Sequence, residues 1–255
     1  MSLLRLSDEG VQAERAEKEI VDEVSLKVVL NGAPLLSLLC LNESLEELVL
    51  GFLFTEGIIH GREDVAFLTV NEHLFSAEVR LDPGVDVKAL QGMRSMSSAC
   101  GRGMTFLPPE REQELEPLPE GFRMDPARIW EWMREAGGRS ELHNRLGGVH
   151  SVLLRHPQRS FFAEDIGRHN CVDKIAGRLV AEDRIELARR SALLTSGRVS
   201  SEIVVKAIRL GVPLIASRSA PTASAVRLAG DYGIALIGYV RGRNAVLYCG
   251  AERLL

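Results

Sequence analysis

Between residues 149 and 240 the chain alternates short apolar runs with helix-length amphipathic stretches, and this alternation restricts the fold more than any other feature. Runs 149–154, 161–163, 192–195, 213–216 and 234–240 read as strands. Stretches 170–180, 200–210 and 223–232 read as helices. Short buried strands separated by helices predict an α/β layer, here spanning 125–255. Its first helix is expected to open on Asp125-Pro126, an N-cap with a first-turn proline, and to reach Ala136 before Gly137-Gly138 closes it.

Upstream the pattern differs. Asn31-Gly32 separates two apolar runs, 24–30 and 33–40, and predicts a hairpin because both residues tolerate positive φ. Ser44 with Glu47 suggests a capping box for a helix through Leu48, Phe52 and Phe54 that stops near Gly57. Stretches 66–70 and 77–81 add a strand pair, giving a smaller α+β unit over 23–105. The run 106–120 is rich in proline and acid, which suits neither helix nor ladder, so 106–124 is read as a linker. Residues 1–22 are read as a polar lead-in.

Lys+Arg 31 against Asp+Glu 35 gives a net charge of −4, which argues against a general polyanion-binding surface, so no nucleic-acid partner is expected. Any anion must be held by a local cluster. No apolar run approaches the ~18 residues of a membrane span, and the N-terminus lacks a secretory pattern. The expectation is a soluble cytoplasmic protein. Cys40, Cys100, Cys171 and Cys249 are widely scattered, which argues for thiols over a disulfide framework and against zinc.

Three segments each set an arginine, small hydroxyl residues and a helix start at a strand-to-helix junction. They are Ala163-Glu164-Asp165-Ile166-Gly167-Arg168-His169-Asn170, Thr195-Ser196-Gly197-Arg198-Val199-Ser200-Ser201-Glu202 and Ser217-Arg218-Ser219-Ala220-Pro221-Thr222. Helix N–H groups attract anions, and a guanidinium fork matches phosphate or carboxylate. In an open α/β sheet such loops gather beyond the carboxyl ends of the strands. The plain alternative is that the hydroxyls cap helices and the arginines are solvated. Asp165, His169 and Asp173 could serve as a metal or acid/base cluster, or be hydrogen-bonded structural groups; His150 is read with the same two alternatives. No dinucleotide-fold glycine pattern and no phosphate-binding loop lysine occurs.

A different chemistry is suggested by Arg94-Ser95-Met96-Ser97-Ser98-Ala99-Cys100-Gly101-Arg102-Gly103. Glycine and serine predict a mobile, exposed loop, and the two arginines would favour the Cys100 thiolate. Cys40, Cys171 and Cys249 fall in or beside apolar strands and helices instead.

The sequence resembles the formate dehydrogenase accessory sulfurtransferase family, FdhD/NarQ, over nearly its whole length. The likeness is carried by Leu50-Gly51-Phe52-Leu53-Phe54-Thr55-Glu56-Gly57-Ile58-Ile59, by Glu164-Asp165-Ile166-Gly167-Arg168-His169-Asn170 with Asp173-Lys174, and by Ser196-Gly197-Arg198 and Ser217-Arg218-Ser219-Ala220-Pro221-Thr222. The resemblance implies a cytidine-deaminase-like three-layer α/β domain beside the smaller α+β domain, and dimerisation. It implies sulfur transfer, as a cysteine persulfide, from a cysteine desulfurase to the molybdenum (or tungsten) bis-guanine-dinucleotide cofactor of formate dehydrogenase. The deaminase zinc signature is missing, so deamination is not implied. The family's guanine-dinucleotide segment matches Tyr239-Val240-Arg241-Gly242-Arg243-Asn244, where Arg241 and Arg243 suit a pyrophosphate, with support from Arg168, His169, Arg198, Arg218 and Ser219. The resemblance implies a Cys-x-x-Cys that this sequence does not keep. The ungapped match sets Ser97 at its first position and Cys100 at its second, and a one-residue gap sets Cys100 at the first. Serine holds no persulfide, so Cys100 is the expected carrier. The competing reading is a non-catalytic chaperone that binds and delivers the same cofactor.

Overall fold

The computed structural model of the chain describes residues 2–7, 10–15, 17, 19–85 and 115–254. Strands β1 (Ser2–Ser7) and β2 (Gly10–Arg15) form an antiparallel pair. Strands β3 (Val24–Leu30) and β4 (Ala33–Cys40) make the expected hairpin, with Asn31 at φ 49° and Gly32 at φ 79°. Helix α1 (Leu45–Thr55) follows, and then β5 (Val65–Asn71) and β6 (Ser76–Leu81). These strands form a four-stranded sheet in the order β4-β3-β6-β5, in which β3 and β6 run parallel.

The second sheet has six strands. Helix α2 (Ala127–Arg139) and the short α3 (Glu141–Arg145) precede β7 (His150–Arg155) and β8 (Ser160–Asp165). Helix α4 (Arg168–Ala181), β9 (Ala192–Thr195), α5 (Ser201–Leu210), β10 (Leu214–Ser217), α6 (Ala223–Asp231), β11 (Ala235–Arg241) and β12 (Asn244–Cys249) complete it. The strand order is β12-β11-β10-β9-β7-β8. Strands β9, β10 and β11 are parallel, while β7 runs antiparallel to both β9 and β8. The ends of β8, β9, β10 and β11 therefore open on one edge, and the start of β7 joins them there.

Alternation along the strands sorts side chains between two faces. Leu193, Ile215 and Leu236 join Val172, Ile175, Val204 and Ala225 of α4–α6, and this core continues without a break into α1 and into Leu26, Val28 and Val79 of the four-stranded sheet. Leu194, Leu214, Ala216 and Ile237 point the other way, onto Ile129, Trp132 and Met133 of α2. The result is a mixed α/β protein with a sheet sandwiched between helices.

Helices α1 and α4 cross in backbone contact. A Cβ on Gly51 would overlap the Asp173 carbonyl oxygen, and one on Gly177 would overlap the Glu47 carbonyl oxygen. Beside this crossing lies a buried ionic cluster. Lys206 of α5 donates to Thr55 Oγ1 and Asp173 Oδ1 at 2.8 Å each and to Glu56 Oε1 at 3.0 Å, and Thr55 Oγ1 donates to Asp173 at 2.6 Å. Burial alone would discharge the ammonium, but Asp173 and Glu56 outweigh it and hold Lys206 above its usual range.

Several local expectations need revision. Ser44 and Glu47 form no capping box: Ser44 is left-handed at φ 52°, its side chain makes no cap bond, and an N-cap needs extended backbone. Helix α2 runs through Gly137-Gly138 to Arg139. Cys249 does end a strand, β12, whose start the sequence does not mark because its residues are half-buried or exposed. Residues 1–22, read only as a polar lead-in, include the β1–β2 pair. In the segment read as a linker, the Leu118 and Met124 N–H groups bond to the Tyr232 and Arg253 carbonyls.

Replacing Gly177 with alanine forces α1 away from α4. Overpacking of this kind costs about 1–3 kcal/mol or more, and thermal unfolding should shift down by roughly 3–10 °C. An unchanged Tm for Gly177→Ala would show that the crossing can relax.

A cationic edge as candidate functional site

Two groups of side chains occupy the edge where β8 to β11 end. The first gathers His150, Arg168, His169, Ser196 and Arg198. Ser196 Oγ accepts the Ser151 N–H at 3.0 Å and lies 3.4 Å from His150 Nδ1. Gly197 presses against the same residues: a Cβ there would come 3.2 Å from Arg168 and from His150 Nδ1. His169 Nε2 lies 3.0 Å from Glu202 Oε2 and 3.4 Å from Ser200 Oγ. Burial would raise the Glu202 carboxyl, but the hydrogen bond and charge of His169, the Ser200 hydroxyl and Arg168 hold it below its usual value. His150 is pushed down by burial and by Arg168, His143, His169 and Arg198, so it is neutral at pH 7.

The second group joins Arg218 and Ser219 to the β11–β12 hairpin. Arg241 Nε donates to the Arg218 carbonyl at 2.7 Å, and the Tyr239 N–H donates to the Ser219 carbonyl at 3.1 Å. Gly238 makes that approach possible, since a Cβ would meet Pro221 and Tyr248 at 3.0 Å. The hairpin turns at Gly242, whose φ is 56°. Arg218, Tyr239, Arg241, Gly242, Arg243 and Asn244 are exposed, but Val240 is not: it packs with Ile129 and Ile237 and can offer a ligand only backbone. The Val199 N–H bonds to the Ala220 carbonyl and the Thr222 N–H to Val199, stitching the two groups into one edge.

The carboxylates singled out from sequence do not converge. Asp165 pairs with Lys174 at 2.7 Å and accepts from Asn170 and from the Leu41 and Gly167 N–H groups. Asp173 belongs to the Lys206 cluster, and His169 turns to Glu202. Asp165 and Asp173 are buried structural groups; neither forms a site with His169.

The comparisons with known proteins agree with this architecture. The model of the FdhD/NarQ family matches residues 21–255. The chain belongs to the FdhD/NarQ family. It is 34% identical to the Sulfur carrier protein FdhD of Bacillus licheniformis over 243 residues, 93% of this chain and 90% of that protein. A relative of the same name from Saccharolobus solfataricus is 34% identical over 212 residues, 82% of this chain and 79% of that one. A crystal structure of a formate dehydrogenase accessory protein from Desulfotalea psychrophila superposes with a TM-score of 0.79 at 27% identity, covering 100% of this chain and 98% of that one.

In this FdhD/NarQ chain Cys100, Ser97, Arg94 and Arg102 lie outside the described residues. The other three cysteines are accounted for. Cys40 is buried in the core, and burial together with Asp165 pushes its thiol up to about 12. Cys171 is fully buried facing the His150 and Gly167 carbonyls, and burial, then Asp165, raises it far above the ordinary thiol. Cys249 is raised by burial as well. All three are protonated at neutral pH.

Sequence reasoning quoted Thr55, Glu56, Ser196 and Glu202 only within longer motifs and gave none of them a role of its own, and it did not single out Lys206. A signal existed for Lys206, a lysine on the apolar face between Ile203 and Leu210. Glu202 carried no signal of a particular role, because polar residues at helix starts are ordinary.

Two outcomes are expected. Under native conditions near neutral pH an alkylating reagent should spare Cys40, Cys171 and Cys249 and label Cys100, with unfolding exposing all four; rapid native labelling of Cys40 or Cys171 would contradict their burial. Glu202 also makes the fold acid-sensitive. Its folded carboxyl titrates below the usual glutamate range, so the stabilisation is complete above the unfolded value and is lost as pH falls through the lower folded one. Glu202→Gln should flatten that part of the stability–pH curve, measured by denaturant unfolding.

Proposed function

We propose that this chain carries sulfur, as a persulfide on Cys100, from a cysteine desulfurase to the molybdenum (or tungsten) bis-guanine-dinucleotide cofactor destined for formate dehydrogenase. The observation that carries the reading is the state of the other three thiols. Cys40, Cys171 and Cys249 are buried or half-buried and protonated, whereas sulfur exchange needs a thiolate. The relatives named sulfur carrier protein, matched over most of their length, support the same role.

In the loading step the Cys100 thiolate attacks the outer sulfur of the desulfurase persulfide. A new sulfur–sulfur bond forms, the old one breaks, and the desulfurase cysteine leaves as a thiolate while the transferred sulfur keeps its proton. The cofactor, as substrate, needs cations for two pyrophosphates and hydrogen-bonding groups for guanine. Arg168 and Arg198 at one end of the edge, and Arg218, Arg241 and Arg243 at the other, are placed to supply the cations. Tyr239 and Asn244 are exposed beside Arg241 and Arg243 and can face a base.

Incubation with desulfurase, cysteine and labelled sulfur should add one sulfur to the intact chain, mapped by digestion to Cys100. The Cys100→Ala chain should take up none and should fail to restore formate dehydrogenase activity to a deficient strain. Full labelling of Cys100→Ala overturns the carrier role. Full rescue by Cys100→Ala leaves the edge as a holder of the cofactor alone.

A further inference from the structure

The four-stranded sheet turns one face to the core and the other to solvent. Leu26, Val28, Ala77 and Val79 point inward, so alternation turns Val29, Thr69, Asn71, Ser76 and Glu78 outward. Register sets these in rows across three strands: Val29, Glu78 and Thr69 share one, and Lys27, Ser76 and Asn71 the next. A trough of about 640 Å³ lies over them, and Glu72 and His73 of the β5–β6 turn join its lining. Arg80 donates to Glu78 Oε1 at 2.7 and 3.2 Å and lies over the exposed Phe67 ring at 5.4 Å. Asn71 Oδ1 is taken by the His73 and Leu74 N–H groups. Glu72 is exposed and makes no ion pair among the described residues.

The strand beside the trough is also the end of the sheet. In the order β4-β3-β6-β5, β5 pairs with β6 and with no other strand among the described residues. Arg62 covers the Val65 carbonyl at its start. Exposed edges usually carry a charge, a proline, a bulge or a covering element that stops another chain from pairing. The other edges here are guarded in these ways. Strand β4 carries Pro34 and meets β3 through a register shift, β8 carries Glu164 bonded to the Leu142 and His143 N–H groups, and β12 meets β11 through two register shifts. Strand β5, Val65-Ala66-Phe67-Leu68-Thr69-Val70-Asn71, has neither charge nor proline, and from Phe67 onward its register with β6 is regular. Phe67 is 42% exposed, and Leu74 just beyond the strand is 70% exposed.

We propose that the outer edge of β5 binds an extended segment of a partner protein by strand addition, with a lysine or arginine of that segment reaching into the trough at Glu72. Backbone pairing along 67–71 supplies affinity, and the side chains that alternate toward the outer face supply selection. Those side chains fall beside Phe67, Thr69 and Asn71. An apolar residue covers Phe67, and a long basic one lies over the trough with Glu72 on its wall. An acidic residue there meets Glu72 and Glu78 instead. Of the cations on this face, Arg80 is committed to Glu78, and Lys27 stands on β3, two strands from the edge. Strand β5 lies three places from β4, whose tail is bonded to α4, a distance of roughly 14 Å at ~4.8 Å per strand. A segment held on β5 leaves the arginine-bearing edge free, and its binding does not depend on Cys100.

The test uses the full chain, isotope-labelled for NMR, and three capped peptides of about eight residues, the length of an ordinary strand. One alternates valine and lysine, one alternates valine and glutamate, and the third is the first with its amides N-methylated so that it cannot donate to a ladder. The valine–lysine peptide should bind, shift the amide signals of 67–71 and slow their hydrogen exchange. The valine–glutamate peptide should bind about tenfold more weakly, and the methylated one should not bind. Glu72→Lys should weaken the valine–lysine peptide about fivefold. Thr69→Lys, which puts a charge on the edge itself, should abolish its binding. Both positions are exposed. Absence of valine–lysine binding overturns the proposal, as do equal binding of the methylated peptide and shifts that map to β4, β8 or β12. Protection of the outer β5 amides in the free chain overturns it too. Protection independent of protein concentration means that the edge is paired within the chain, and protection that grows with concentration means that a second copy occupies it.

Discussion

The packing of this molecule depends on one contact, the crossing of α1 and α4 where two glycines let backbone meet backbone. With no side chain between them, the helices bring Thr55 and Glu56 of α1 beside Asp173 of α4, and Lys206 of α5 closes the cluster. A lysine buried to this depth would be costly alone; two carboxylates and a hydroxyl make it tolerable and fix which helix faces which. The same crossing merges the four-stranded sheet into the core beneath the six-stranded one, so the edge bearing the arginines rests on apolar packing from both sheets.

The chemistry of that edge follows from strand direction. Because β7 reverses between β8 and β9, four strand ends and the start of β7 converge on one side, and arginines distant in sequence become neighbours. A chain of net charge −4 thereby concentrates positive potential in one place. Burial sharpens the effect: it keeps His150 uncharged at rest, while Glu202 remains ionised beside His169.

Much of this was legible in the residues. The strands of the second sheet follow from apolar runs, since central parallel strands are buried on both faces and read as continuous hydrophobic stretches. The loops bearing Arg168, Arg198 and Arg218 follow from the junctions between those runs and the helices. What stayed hidden depended on tertiary contact. The start of strand β12 has no buried face to mark it, and Ser44 looks like a cap until its left-handed backbone is known. Asp165 and Asp173 looked like site carboxylates because their lysine partners become apparent only once α4 and α5 are packed. Val240 sits within a ligand-type segment yet points inward, a result of strand alternation just before an exposed turn.

The clasp at Asp165 and Asn170 has a mechanical meaning. Asp165 holds the Leu41 amide and Asn170 holds the Leu39 carbonyl, so the tail of β4 is bonded to the first turn of the helix that bears Arg168 and His169. The distal hairpin and the rim that faces solvent thus belong to a single cooperative unit. Loosening one end of this girder slackens the other, and whatever braces the rim also stiffens a strand on the far sheet.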